Sequence, residues 1–320
     1  MKIALSTCWN SIRLRDEPGE AIVEEALELG FDALELGFSL QPEQVPGIRA
    51  RLDEMPVESV HAFCPVPLSA PDGHPELYQL TSEDEDERAI AFAMTRRNIE
   101  FAASVGAKAL VLHCGKTNLN SFWRSFSSDD FRMAIEDGLG SGKYTDENVI
   151  TSEKYIKLLE KARKMRSKRA VPLLERFREQ FSRLIPVLEA NNVVLCLENL
   201  PYFEAFPDEN EMELLASEFA GAPLKAWFDT GHARVRSNFG WAAHETDVFL
   251  RQKDYIAGCH VNDVELRHDD HFAAGFGNVD FKALAPLGQD RFLKVFEPKN
   301  AVSREDLVQA IALIRKLWSD

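Results

Sequence analysis

Six side chains able to ligate a metal, His61, His113, Glu198, Asp229, His260 and Glu297, each close a short apolar run, always at its C-terminal end. A donor set of imidazoles and carboxylates without a thiolate suits Zn²⁺, Mn²⁺, Mg²⁺, Co²⁺ or Fe²⁺, and ligand softness does not choose among them. One histidine at a strand end is ordinarily a hydrogen-bonded structural residue, but donors in the same phase of six elements point to a shared centre. Three more candidates lie just beyond: His232 in Asp229-Thr230-Gly231-His232, and Asp269 and His271 in Asp269-Asp270-His271. Such a centre can polarise a carbonyl, activate water and hold carboxylates that move protons. The remaining histidines, His74, His244 and His268, read as surface or loop residues.

The donors need eight strands to bring them together. Lys2–Thr7, Asp32–Leu36, Val57–Ala62, Lys108–His113, Val193–Glu198, Leu224–Asp229, Tyr255–Val261 and Phe292–Glu297 are short runs, near-continuously apolar, as in parallel strands buried on both faces. They alternate with segments of helical period. Pro18–Gly30 carries Ile22, Ala26 and Leu29 with Gly30 as a stop, and Ser303–Trp318 puts Leu307, Ile311, Ile314 and Trp318 on one stripe. The acidic burst Glu83–Glu87 favours the start of a helix running on to Val105, where it meets the positive end of the helix dipole. This pattern predicts a (β/α)₈ TIM barrel, whose strand ends converge at one mouth. A barrel of ~250 residues plus one insertion accounts for the 320 residues as a single domain over 1–320.

The insertion, about 116–152, follows the fourth strand and is rich in Ser, Gly, Asn, Asp and aromatics, so it is expected on the catalytic rim. Its Gly138–Lys143 stretch superficially resembles a phosphate loop, but the glycine offset is wrong and no Ser or Thr follows Lys143.

Composition excludes other classes. Hydrophobic residues at 45% and charges at 28% are ordinary globular usage, and no apolar run approaches the ~18 residues of a membrane span. Five scattered cysteines without a C-x-x-C pair argue against a disulfide framework and a thiolate zinc knuckle. The opening residues do not form a secretory leader, so the cytoplasm is the expected compartment. A net charge of -15 repels nucleic acid, which is therefore not an expected partner. The exception is Glu153–Arg183, with 11 Lys or Arg against 4 Glu, read as the solvated face of an outer helix. A homo-oligomer is left open.

The blocks His113-Cys114-Gly115, Leu197-Glu198-Asn199, Asp229-Thr230-Gly231-His232, His260-Val261-Asn262-Asp263, Gly275–Phe281 and Phe296-Glu297-Pro298 together resemble the xylose isomerase-like barrel superfamily over the whole chain. That superfamily includes sugar-phosphate isomerases and epimerases, ketose 3-epimerases, inosose dehydratases and endonuclease IV. The resemblance implies, for the isomerase and epimerase branch, a single divalent ion (Zn, Mn, Mg or Co) on Glu198, Asp229, His260 and Glu297, with Glu198 and Glu297 as the catalytic pair. The chemistry is coherent, because a metal-bound hydroxy-carbonyl has an acidified C–H that two carboxylates can deprotonate and reprotonate.

The same nine donors also resemble the trinuclear zinc set of endonuclease IV. That resemblance assigns His61, His113 and Glu198 to one ion and His232, Asp269 and His271 to a third, and implies phosphodiester hydrolysis. The scarcity of Lys and Arg in the rim segments weighs against a DNA substrate and for a small sugar or polyol. The expected function is therefore metal-dependent sugar, keto-sugar or cyclitol isomerisation or epimerisation. A multi-zinc phosphodiesterase and a dehydratase or lyase are the alternatives. In the first case His61, His113, His232, Asp269 and His271 would contact substrate or support the ion. Glu35 would accept a sugar hydroxyl or cap a helix, and Trp9, with Phe122 or Trp123, would wall the sugar ring or pack in the core. In the family the Gly275–Phe281 turn lies near the substrate. Because Asp269–Ala274 has no Arg or Lys, a neutral substrate is expected over a phosphorylated one. A nicotinamide site is not implied.

Overall fold

The protein is described from a computed structural model covering residues 1–120 and 126–319. Eight parallel strands close a barrel: β1 (Ala4–Ser6), β2 (Ala33–Leu36), β3 (Val57–His61), β4 (Ala109–Leu112), β5 (Val194–Glu198), β6 (Leu224–Asp229), β7 (Ile256–Val261) and β8 (Leu293–Phe296). Each pairs with its neighbours in sequence, and β1 also pairs with β8. The expected strands are present, Leu224–Asp229 unchanged and the others shortened by one to three residues, so that His113 and Glu297 sit just past the ends of β4 and β8. The strands are buried on both faces, which is why their sequences are apolar throughout instead of alternating.

The helices on the outside are α1 (Gly19–Glu28), α2 (Val45–Arg49), α3 (Glu85–Ser104), α4 (Ser128–Gly140), α5 (Glu153–Asn191), α6 (Glu209–Glu218), α7 (Thr230–Asn238), α8 (Glu245–Gln252) and α9 (Arg304–Trp318). Local signals set their ends. Ser303 caps α9 by accepting from the Asp306 N–H, and Leu307, Ile311, Ile314 and Trp318 form its buried stripe. Asp84 caps α3, with Glu85, Asp86 and Glu87 in its first turn. The strict strand-then-helix alternation fails at β7. It is followed by the hairpin Asp263–Glu265/Asp269–Phe272 and a 3₁₀ turn, while β6 is followed by both α7 and α8. No described helix is long and apolar enough to cross a membrane.

The interior of the barrel is filled by Ala4, Ala33, Ala109, Val111, Cys196, Trp227 and Val295. Trp227 needs the room left by Gly258, where a Cβ would lie 2.6 Å from its Cζ3. The indole then packs edge-on beneath His260, with ring centroids 5.3 Å apart. The segment after β4 builds a second cluster, in which Phe131 and Ile135 of α4 meet Tyr155 and Leu159 of α5, together with Phe203, Phe239 and Trp241. The basic helix α5 thus packs its first half on the insertion, while Leu173, Phe177, Phe181 and Leu184 hold its second half on the barrel. Gly138–Lys143 forms the end of α4 and the turn after it.

Candidate metal centre and pocket

Register brings the donors together. Asp229 and His260 are paired residues of β6 and β7, and β5 ends at Glu198 beside Trp227. His260 Nδ1 lies 3.0 Å from Glu297 Oε2, 3.2 Å from Glu198 Oε1 and 3.6 Å from Asp229 Oδ2. Ligand atoms of these four buried residues all fall within 4.8 Å of one another. Two further groups meet the same spacing: His61, His113 and Glu198, and Asp229, His232 and His271. Glu198 is the hub. Its Oε2 faces His61 Nε2 at 3.1 Å and His113 Nε2 at 3.3 Å, while Oε1 faces His232 Nδ1 and His260 Nδ1, each at 3.2 Å.

The short polar blocks that follow the strands are the scaffold of this centre. The Asn199 side chain bonds both the N–H and the carbonyl of Asp229, at 2.8 and 3.0 Å. Asn262 Nδ2 donates to Asp229 Oδ2 at 2.7 Å, and Asp229 Oδ1 caps α7 through the His232 N–H at 2.6 Å. Gly231 is required because a Cβ there would lie 1.9 Å from Asn262 Oδ1. Asp263 Oδ2 accepts from the N–H groups of Gly275 and Gly277 and its Oδ1 from those of Val264 and Val279, all at 2.8 to 2.9 Å. The Gly275–Phe281 turn is therefore pinned by a buried carboxylate, and its residues are not among those lining the cavity.

Several expected roles change. Glu35 is fully buried, with Oε1 3.0 Å from His260 Nε2 and Oε2 accepting from Ser59 Oγ at 2.7 Å, so it orients His260 and has no oxygen turned to a sugar hydroxyl. Trp9 belongs to the core: it is buried and donates from Nε1 to the Val302 carbonyl at 2.9 Å. Phe122 and Trp123 lie outside the described residues. Asp269 is exposed and bound to Lys299 at 3.0 Å, so it does not join His232 and His271; Asp270 is the nearer acid, 3.7 Å from His232 Nε2. His271 Nδ1 lies 2.8 Å from the Glu297 carbonyl, to which it donates, and this leaves Nε2 facing His232 Nε2 at 3.2 Å.

The electrostatics demand positive charge. Burial favours a neutral Glu198, but the imidazoles of His260 and His113 and hydrogen bonds from His113 and His232 hold its carboxyl well below the usual range. Glu297 goes the other way: burial, aided by the charge of Glu198, outweighs His260 and His271 and raises it. Burial also opposes a charged His232, yet Asp229, Glu198 and Asp270 push it up to about 10. His260 is raised by Glu297, Glu35 and Glu198 against the same burial cost. Carboxylates crowded in a dry site thus draw protons onto imidazoles, and a divalent cation answers the same demand. His113 Nδ1 is buried without a hydrogen-bond partner, its nearest acid being Glu76 at 3.9 Å. The donor set fits a divalent metal of the kind expected.

A cavity of about 420 Å³ has His61, His113, Glu198, His232, His271 and Glu297 on its polar side. The sequence reading missed Glu76, Tyr202 and Lys299, which line it from loops, and placed His74 at the surface without the pocket that it borders. A separate cavity of about 320 Å³ on the outer wall holds no donor cluster; its Arg166 and Arg236 are paired to Asp208, Glu211 and Glu209.

The chain matches the xylose isomerase-like TIM barrel family over residues 23–142 and 156–316, and belongs to it. An uncharacterized protein of Methanocaldococcus jannaschii is 26% identical over 136 residues, which span 41% of this chain and 49% of that protein. Among solved structures, a D-tagatose 3-epimerase-like protein superposes with a TM-score of 0.65 at 18% identity, covering 100% of this chain and 97% of its own. The 3-keto-D-glucoside 4-epimerase of E. coli, in apo form, gives 0.65 at 16% identity with 99% of both chains covered. A protein of Thermus thermophilus soaked with ZnCl2 gives 0.59 at 19% identity, over 99% of this chain and 97% of that one. These likenesses establish a shared fold.

Proposed function

We propose that the protein is a divalent-metal-dependent isomerase or epimerase acting on a sugar, keto-sugar or cyclitol. The observation that carries this reading is the meeting of Glu198, Asp229 and Glu297 around Nδ1 of His260, on the floor of a cavity large enough for a small polyol. Glu198, Asp229, His260 and Glu297 would hold the ion, which when bound supplies polarisation of a hydroxy-carbonyl. The two glutamates do the proton work. Ligation by the ion would keep Glu198 and Glu297 both ionised until substrate arrives, so that one can take the proton from the substrate carbon and the other can return a proton to it. Glu35 and Asn262 fix His260 and Asp229, so the pair keeps its geometry. The sugar epimerases among the structural neighbours support the substrate class.

The test is solvent exchange. Incubation of the metal-loaded protein with ketoses in D₂O should place deuterium on the carbon beside the carbonyl, and Glu297→Gln should abolish the uptake. Undiminished exchange in that variant removes Glu297 from the role.

A second reading, a multi-zinc phosphodiesterase, is favoured by one specific observation: each oxygen of Glu198 faces a different pair of imidazoles, the arrangement of a carboxylate bridging two ions. Against it, Lys299 at the pocket mouth is already paired to Asp269, which leaves little positive charge there for phosphates. Elemental analysis separates the two. Close to one ion per chain supports proton transfer, while two or three zinc ions together with cleavage of abasic-site DNA would reverse the order.

A further inference from the structure

The ligating groups form only one side of the cavity. The rest of its lining includes Ile12, Phe38, Pro75, Pro201, Tyr202 and Pro298, carried by segments that follow β1, β2, β3, β5 and β8. Ile12 is 50% exposed, so a large aliphatic side chain is left in water at the lip of the site. Several of the polar groups beside it are engaged within the protein. Tyr202 Oη donates to Glu76 Oε1, Lys116 Nζ holds Glu76 Oε2 at 3.2 Å, and the Glu76 N–H donates to His74 Nδ1 at 3.0 Å. Lys299 is bound to Asp269 at 3.0 Å, and Ser39 Oγ to Ser11 Oγ at 2.7 Å. The lip thus offers a ligand mainly carbon surface, while the floor offers hydrogen-bonding and ligating atoms.

A free sugar carries hydroxyls around its whole ring, and those turned to this lip would lose water with few protein partners to replace it. A sugar bearing an apolar group has the matching asymmetry. We infer that the substrate is an amphipathic keto-glycoside: a sugar ring whose carbonyl lies away from the anomeric carbon, seated on the ligand floor and joined to an apolar or aromatic group that covers Ile12 and Phe38. This rests on the isomerase-type reading and deepens it. Ring stacking and burial at the lip would supply affinity, and the position of the aglycone would select which end of the sugar reaches Glu198 and Glu297.

The probes are methyl and phenyl β-D-glucoside, which differ in the aglycone alone, titrated calorimetrically into the full chain loaded with manganese. The phenyl glycoside should bind about tenfold or more tightly than the methyl one. Ile12→Ser and Phe38→Ala should each bring that ratio toward one. Equal affinities, or a ratio untouched by both substitutions, overturn the inference. The parent reading has its own readout: equal affinities with deuterium uptake into ketoses intact overturn the glycoside inference alone. No glycoside binding and no uptake into any ketose overturn both.

Discussion

His260 Nε2 lies 3.0 Å from Oε1 of Glu35, and this contact leaves Nδ1 facing Glu198, Asp229 and Glu297. Carboxylates behind metal-binding imidazoles fix the tautomer and orientation of the ring, and their loss costs roughly 10–100-fold in metal affinity. Glu35→Ala should weaken metal binding by about that factor, measured by competition with a chelator, with Glu35→Gln between the two. Unchanged affinity in both variants would mean that His260 is positioned by packing on Trp227 alone.

Gly258 is where the barrel interior meets the site. Its strand partners are Trp227 and Leu293, and an added Cβ would lie 2.6 Å from the indole and 2.8 Å from Leu293 Cβ. Gly258→Ala should destabilise the fold by about 1–3 kcal/mol, as overpacking does, and weaken metal binding as Trp227 is driven toward His260. Urea unfolding and the same chelator competition read the two effects.

Asp263 answers for the Gly275–Val279 turn with four backbone N–H groups on its two oxygens. Asp263→Asn replaces an acceptor by a donor on one side and should cost roughly 1–3 kcal/mol. Hydrogen exchange should speed at the amides of Gly275 and Gly277, or else at those of Val264 and Val279, according to which oxygen is replaced; protection unchanged at all four would refute the arrangement.

Acid should unfold the protein in part through Glu209. Burial favours its neutral form, but the Arg236 guanidinium, 2.5 Å away, together with Arg166, holds the carboxyl below its ordinary value. A folded-state value below the unfolded one of about 4.3 means a contribution that is complete above that pH and is lost as pH falls through the folded value. Glu209→Gln should therefore lower stability at neutral pH and narrow its gap from the parent protein in the acid range. A constant gap in urea titrations across that range would exclude the ion pair as the cause.

The order and phase of the donors were legible in the chain itself. Strand runs buried on both faces are apolar throughout, so a lone His, Asp or Glu at the end of each stands out, and the parallel barrel carries all such ends to one mouth. Helix ends were legible for a similar reason, since caps such as Asp84 and Ser303 act within three residues. What only the tertiary structure decided is which polar atoms were already taken. Glu35 ends its strand in the same phase as the other donors, yet His260 and Ser59, on other strands, occupy its oxygens. Asp269 and His271 would share a face on a regular strand, but His271 adopts a φ of 59°, which breaks the alternation and leaves Asp270 the nearer acid to His232. The choice of Ile12 and Phe38 over Trp9 at the pocket lip likewise depends on loops folding back over the barrel. Short-range sequence sets the direction of a side chain relative to its own strand or helix; the partner that meets it comes from a distant part of the chain, and only packing brings that partner into place.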